Sequence, residues 1–262
     1  MYFAAMKRNI FVTGATSGFG KAIARLFAAH QYDLIISGRR EERLQELKAA
    51  WEQQYGVKVI TLCFDVRDRD AVDKAIGALK QQVDKIDILV NNAGLAAGMA
   101  PIDEGNVDHW ERMIDTNLKG LLYVTRQIAP MMREQRCGHI FNIGSTAGKL
   151  AYRNGNVYCA TKFAVDALSQ SMRIDLLPYG IKVTAINPGM AETEFSVVRF
   201  DGDAEKASKV YEDVRPLQAE DIASAVFYCA SLPAHVCIND LTMTCLTQAN
   251  AFYSIKESER LK

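Results

Sequence analysis

Three side chains stand at a spacing that can move a proton: Ser145, Tyr158 and Lys162, within STAGKLAYRNGNVYCATK. Tyr158 and Lys162 are four residues apart, so a helix running from about Val157 puts them on one face, with the ammonium beside the phenol. Ser145 closes the apolar run HIFNIGS, which reads as a buried strand with the serine at its C-terminal end. A hydroxyl there, facing a Tyr–Lys pair on the next helix, suits proton transfer to or from a carbonyl or an alcohol. A free phenol titrates near ~10, too high for a good base at neutral pH, and an adjacent cation favours the phenolate.

A second group of residues can hold a nucleotide. Gly14, Thr16, Ser17, Gly18 and Phe19 belong to the turn TGATSGFG, which follows the strand-like run NIFV and precedes the helical run KAIARLFAAH. Glycines there let the backbone turn tightly and approach a pyrophosphate, which the following helix N-terminus stabilises. At the end of the second apolar run stands Ser37-Gly38-Arg39-Arg40. NAD-selective sites usually carry Asp or Glu at that point to hold the ribose 2′-hydroxyl. Here Arg39 and Arg40 replace it, and a guanidinium forks onto a 2′-phosphate, so NADP(H) is the expected cofactor. Asp33 precedes the run and is expected to point away. Asp65 and Val66 end the third run, where the carboxylate can accept from an adenine amino group. Asn92, Ala93 and Gly94 end the fourth, where small residues let the backbone approach the cofactor. Asn117 is polar within the apolar helix pattern DTNLKGLLYV, and a buried amide there needs partners.

The elements that must position these groups alternate in type. Six apolar runs (NIFVTG, YDLIISG, VKVITLCFDV, KIDILVNNAG, GHIFNIGS and GIKVTAINPG) are separated by amphipathic stretches of helical length. The spacing predicts one long helix over residues 109–135 and another over 157–177. This βα rhythm argues for a parallel sheet covered on both faces, doubly wound by right-handed crossovers, in a single domain over residues 1–262. After Gly189 the pattern loosens into a polar stretch with scattered aromatics, then a helix AEDIASAVFYCASL and a short apolar run near Leu241.

Composition excludes several classes. Lys plus Arg and Asp plus Glu each number 31, so the formal charge is zero and nothing favours nucleic acid or an anionic membrane. No apolar run approaches the roughly 18–20 residues that span a bilayer. The segment MYFAAM is too short for a secretory leader and reads as a frayed tail, with Met6 as an alternative start. The six cysteines form no C-x-x-C pair and no metal-ligand pattern with the four histidines, which suits reduced, mostly buried thiols in a cytoplasmic protein.

In order along the chain, TGxxxGxG, NNAG, a mid-helix Asn, Ser145, Tyr158-x-x-x-Lys162 and Pro188-Gly189 resemble the short-chain dehydrogenase/reductase family over nearly the whole length. The phrases NIGSTAG, GNVYCATK, TEFSVVRF and LPAHV resemble more narrowly its bacterial NADP-dependent 3-hydroxy acid (serine-type) dehydrogenases and its sulfoacetaldehyde reductases. The resemblance implies a Rossmann-type doubly wound α/β sheet of seven parallel strands, commonly assembled as a homotetramer. It implies a catalytic tetrad of Asn117, Ser145, Tyr158 and Lys162. Tyr158 would exchange the proton, Ser145 would position the reacting oxygen, Lys162 would also hold the nicotinamide ribose, and Asn117 would hold a water linking Lys162 to solvent. Pro188, Gly189, Met190 and Thr193 would line the nicotinamide, and residues 189–215 would form a substrate lid. Within that frame a small anionic substrate is expected, anchored by Arg199 and walled by Tyr152, with Ser145 and Tyr158 at its carbonyl; Arg153, Gln248 and Tyr253 are further candidates. The family also contains reductases of bulky apolar ketones and its fold can serve as a silent NADP-binding regulator, two alternative readings.

Overall fold

Successive residues of each apolar run leave the chain in opposite directions, and here both directions are buried. Ile10 and Val12 enter one core layer while Phe11 enters the other; Leu34 and Ile36 are likewise opposed to Ile35. That double burial is why the strands read as continuous apolar runs rather than alternating ones. The computed structural model describes residues 7–200, 202–203, 205 and 210–260; the MYFAAM segment and parts of the expected lid lie outside them.

The strands are β1 (Asn9–Val12), β2 (Asp33–Gly38), β3 (Val59–Cys63), β4 (Ile88–Asn91), β5 (Gly138–Ile143), β6 (Ile181–Pro188) and β7 (Asp240–Met243). They form one seven-stranded sheet in the order β3-β2-β1-β4-β5-β6-β7, and every neighbouring pair is parallel. The strand order reverses at β1 and β4, the switch point where doubly wound sheets open a crevice at the strands' C-terminal ends.

The helices are α1 (Gly18–Ala29), α2 (Glu41–Tyr55), α3 (Arg69–Leu79), α4 (Val107–Ile114), α5 (Leu121–Gln135), α6 (Asn156–Leu176), α7 (Glu194–Arg199) and α8 (Ala219–Ser231). One core layer takes Ile23 and Phe27 of α1, Leu44 and Trp51 of α2, and Ile222 and Val226 of α8. The other takes Val72 and Ile76 of α3, Val124 and Ile128 of α5, and Val165 and Met172 of α6. The long helix expected over 109–135 is divided: Asp115–Gly120, between α4 and α5, is a π-helical turn. The loosely patterned stretch after Gly189 contains α7, whose N-cap Thr193 accepts from Phe195 N at 3.2 Å. All six cysteines are free; Cys159, Cys229 and Cys245 are buried, Cys237 is partly buried, and Cys63 and Cys137 are exposed, so fewer are buried than the expectation of mostly buried thiols. Among the described residues no helix is long and apolar enough to cross a membrane, and no group of His, Cys, Asp and Glu is placed to hold a metal.

Candidate active site

The switch point is sewn shut from below by Thr13 and Asn92. Thr13 Oγ1 accepts from the backbone N–H groups of Asn92 and Ala93, both at 3.0 Å, while Asn92 Nδ2 donates to the carbonyls of Thr13 at 2.8 Å and Gly14 at 3.1 Å. The Asn92 side chain is thus spent on fixing the glycine turn. Gly14 sits at φ +65°, and a Cβ there would stand 3.0 Å from Ala93 Cα, so glycine answers both the left-handed turn and the close approach of the two strand ends.

Above this floor lies a cavity of about 580 Å³. Gly14, Thr16, Ser17, Gly18, Phe19, Arg39, Arg40, Asp65, Val66, Asn92, Ala93 and Gly94 line one part of it. Ser145, Tyr152, Tyr158, Lys162, Pro188, Gly189, Met190, Thr193 and Arg199 line the rest. Of the expected catalytic tetrad only Asn117 lies outside the lining. It acts through others: Asn117 Oδ1 accepts from Leu95 N at 2.8 Å, and its Nδ2 donates to Leu95 O at 2.8 Å and to Thr161 Oγ1 at 3.1 Å. Thr161 in turn donates to the Tyr158 carbonyl at 2.8 Å. The π-helical turn carrying Asn117 therefore fastens the loop after β4 to the turn of α6 that bears Tyr158 and Lys162.

Ser145 lies two residues beyond β5, at the N-cap of a short 3₁₀ turn, Thr146–Gly148. Its Oγ accepts from Ala147 N at 3.1 Å and donates to Pro188 O at 3.4 Å. Lys162 Nζ is buried, donates to the Ile143 carbonyl at 2.8 Å and stands 5.9 Å from the centre of the Tyr158 ring. Burial pushes the Lys162 ammonium down to about 8. Burial also pushes the Tyr158 phenol well up, and the Ser145 hydrogen bond and Arg199 charge offset this only in part. Lys162 is thus not what sets Tyr158's protonation in the free chain: the buried phenol keeps its proton.

At the same end Arg199 Nη2 donates to Tyr152 Oη at 2.8 Å, and the guanidinium carbon stands 5.6 Å from the Tyr152 ring centre and 5.7 Å from that of Tyr158. Its Nε is buried with no hydrogen-bond partner. Arg153 and Tyr253 are exposed and outside the cavity lining, so neither belongs to this wall. Gln248 does line it: Oε1 accepts from Met190 N at 2.7 Å, fixing the backbone after β6.

At the other end the two arginines part company. Arg40 donates through Nε and Nη2 to Thr16 Oγ1 at 3.2 and 2.8 Å, and through Nη2 to Ser17 Oγ at 3.0 Å. The Arg39 side chain is 62% exposed and only 3.8 Å from Asp65. Asp65 is not a free acceptor, because Arg67 forks onto it at 2.7–3.1 Å. Burial raises the Asp65 carboxyl, but the hydrogen bonds from Arg67 outweigh this and hold it below its usual range. Asp33 faces the opposite end of β2, where it accepts from Lys58 N at 2.8 Å. Glu194, Phe195 and Tyr211 fall within the expected lid without having been singled out, and all three line the cavity. Tyr211 closes the segment after α7 back on its start by donating to the Ala191 carbonyl at 2.7 Å. No local pattern marks these residues; only the acidic start of α7 hints at a cationic neighbour.

The residues fit a 2′-phosphorylated dinucleotide. Gly14 and Gly18 (φ +50°) leave backbone room in the turn, Ser37 Oγ is buried in the cavity wall with no partner, and Arg39 is open to an incoming anion. A fold of this order, with a Ser–Tyr–Lys group and a glycine turn at its switch point, defines an NADP-type dehydrogenase class.

The chain belongs to the short-chain dehydrogenase/reductase family: the family model described as short chain dehydrogenase matches residues 8–203. It is 50% identical over 250 residues to the NADP-dependent 3-hydroxy acid dehydrogenase of Salmonella typhi, covering 95% of this chain and 99% of that one. It is 44% identical over 251 residues to sulfoacetaldehyde reductase 2 of Chromohalobacter salexigens, again covering 95% and 99%. Among solved structures, the closed form of a serine dehydrogenase complexed with NADP+ superposes with a TM-score of 0.88 at 47% identity, covering 94% of this chain and 98% of that one.

Proposed function

We propose that the protein is an NADPH-dependent reductase of a small anionic aldehyde or oxo acid, reversible as a 3-hydroxy acid (serine-type) dehydrogenase. Sulfoacetaldehyde to isethionate and malonic semialdehyde to 3-hydroxypropionate are the reactions in view. The observation that carries the substrate class is Arg199. Its guanidinium lies beside Tyr158, is oriented by Tyr152 and keeps a buried, unpartnered Nε. A buried N–H without a partner is costly, and a carboxylate or sulfonate oxygen satisfies it. The names of the relatives at 50% and 44% identity support the same class.

NADPH, when bound, supplies the hydride; Gly14, Gly18, Ser37, Arg39 and Arg40 are the residues that would hold it. Tyr158, kept protonated by burial, gives its Oη proton to the substrate's carbonyl oxygen, and Ser145 Oγ donates to the same oxygen and fixes its place. Lys162 then faces a developing phenolate, and its cation stabilises that charge. Asn117 keeps this geometry by clamping Leu95 and Thr161.

The test is a steady-state panel: sulfoacetaldehyde, malonic semialdehyde and an aromatic ketone with NADPH, and L-serine with NADP+ in the reverse direction. The reading expects the two anionic aldehydes to lead in kcat/KM; an aromatic ketone in front would replace it with a general carbonyl reductase, and no turnover at all with a silent NADP-binding regulator.

A further inference from the structure

The nucleotide end of the cavity holds a carboxylate that the catalytic reading does not use. Glu194, the first residue of α7, sets one oxygen 3.1 Å from Arg40 Nη1 and the other 3.0 Å from Arg43 Nη1. The rest of the Arg40 guanidinium is turned toward the glycine turn by Thr16 and Ser17. One edge of Arg40 is therefore fixed by hydroxyls and the other is covered by an anion. Burial raises the Glu194 carboxyl, but the hydrogen bonds and charges of Arg40 and Arg43 outweigh it and hold it below the usual carboxylate range. Glu194 is thus fully charged at neutral pH. Arg39, 62% exposed, has only a looser 3.8 Å contact with Asp65, a carboxylate that Arg67 already holds.

The segment that carries Glu194 reaches both ends of the cavity. Thr193 faces the glycine turn, 3.5 Å from where a Cβ on Gly18 would stand. Five residues on from Glu194, the Arg199 carbonyl accepts from Gly98 N at 2.9 Å and its side chain meets Tyr152. One short helix joins the arginine cluster to the substrate anchor.

We propose that Glu194 is a specificity-determining residue: a resident anion on the 2′-phosphate cradle, which a 2′-phosphate displaces from Arg40, releasing the start of α7. This rests on the reading that Arg39 and Arg40 receive the 2′-phosphate. A nucleotide bearing that phosphate competes with Glu194, whereas one with a free 2′-hydroxyl leaves the Glu194 bridge in place. Glu194 accordingly tempers the preference for NADP(H) over NAD(H), and the lid senses the 2′-phosphate apart from the rest of the nucleotide.

The test uses the full chain with 2′,5′-ADP and 5′-ADP as probes, titrated calorimetrically into wild type, Glu194→Gln and the Arg39→Ala/Arg40→Ala double variant. Amide hydrogen exchange across residues 194–200 is followed in parallel. Removing a charge paired with exposed arginines should tighten 2′,5′-ADP by about threefold or more and leave 5′-ADP within about twofold. In wild type 2′,5′-ADP, but not 5′-ADP, should speed exchange in that segment, and Glu194→Gln should show the faster exchange without ligand. Unchanged or weaker 2′,5′-ADP binding in Glu194→Gln, or exchange blind to the 2′-phosphate, overturns the proposal. If the double variant still prefers 2′,5′-ADP over 5′-ADP, the arginine reading itself is overturned, and the role of Glu194 with it.

Discussion

Burial governs the protonation of the two residues at the centre of the site. It raises the Tyr158 phenol and lowers the Lys162 ammonium to about 8, so at neutral pH the tyrosine keeps its proton while the lysine is still a cation. A protonated phenol is the state a reductase needs, because the carbonyl oxygen must receive a proton as hydride reaches carbon. Tyr158→Phe removes that one oxygen and keeps the buried ring. It should lower kcat by about 10²-fold or more, the range for losing a general acid, with NADPH affinity changed little by fluorescence titration. Retained turnover would remove Tyr158 from the proton step. At this scale the sequence is informative where partners are close along the chain: Ser145, Tyr158 and Lys162 share one strand–helix unit. It is silent on Glu194, because Arg40 and Arg43 lie more than a hundred residues away and only the fold brings them together. Arg153 shows the converse, since adjacency to Tyr152 does not bring it into the cavity.

Among the elements, β5 and the π-helical turn do the positioning. β5 carries Asn142, whose side chain links Asn91 of β4 (2.9 Å) to Ser169 of α6 (2.9 Å), so the strand ends at the site share one buried polar network. The same strand carries His139, buried against Phe141 with Nε2 2.8 Å from Thr184 Oγ1. Burial, helped by Lys182, drives the imidazole down to about 3. Because the folded value lies below the unfolded ~6.5, the folded chain resists protonation, so stability is intact above about pH 6.5 and is lost as pH falls toward 3. By pH 5 the loss due to His139 should reach about 2 kcal/mol, from ~1.4 kcal/mol per pH unit below the unfolded value. Urea unfolding of wild type and His139→Gln at pH 7 and pH 5 measures it: the variant should lose less on acidification, and an equal loss would assign the acid sensitivity elsewhere. The π-helical turn was not legible in sequence, because one extra residue in a helix leaves the apolar periodicity on either side intact. The polar Asn117 within that pattern was its only trace.

For the whole molecule, the repeating βα pattern made the doubly wound sheet legible, since the inner strands β1, β2, β4, β5 and β6 are buried on both faces and helices pack on each side of them. The weakest part of that reading was the chain after Gly189, where α7 is short and is held by distant partners: Arg40 and Arg43 at one end, Gly98 and Tyr152 at the other. On the proposed function, that is also where substrate choice is made. The central claim is that Arg199 selects a small anionic carbonyl compound, and it is tested most directly by kcat/KM with NADPH for malonic semialdehyde against neutral propionaldehyde, in wild type and in Arg199→Met. A buried charge-assisted pair is worth roughly 2–3 kcal/mol, so wild type should favour the anion by about 30- to 150-fold, and Arg199→Met should erase that preference mainly through KM. Equal kcat/KM for the two aldehydes in wild type, or an undiminished preference in the variant, would contradict it.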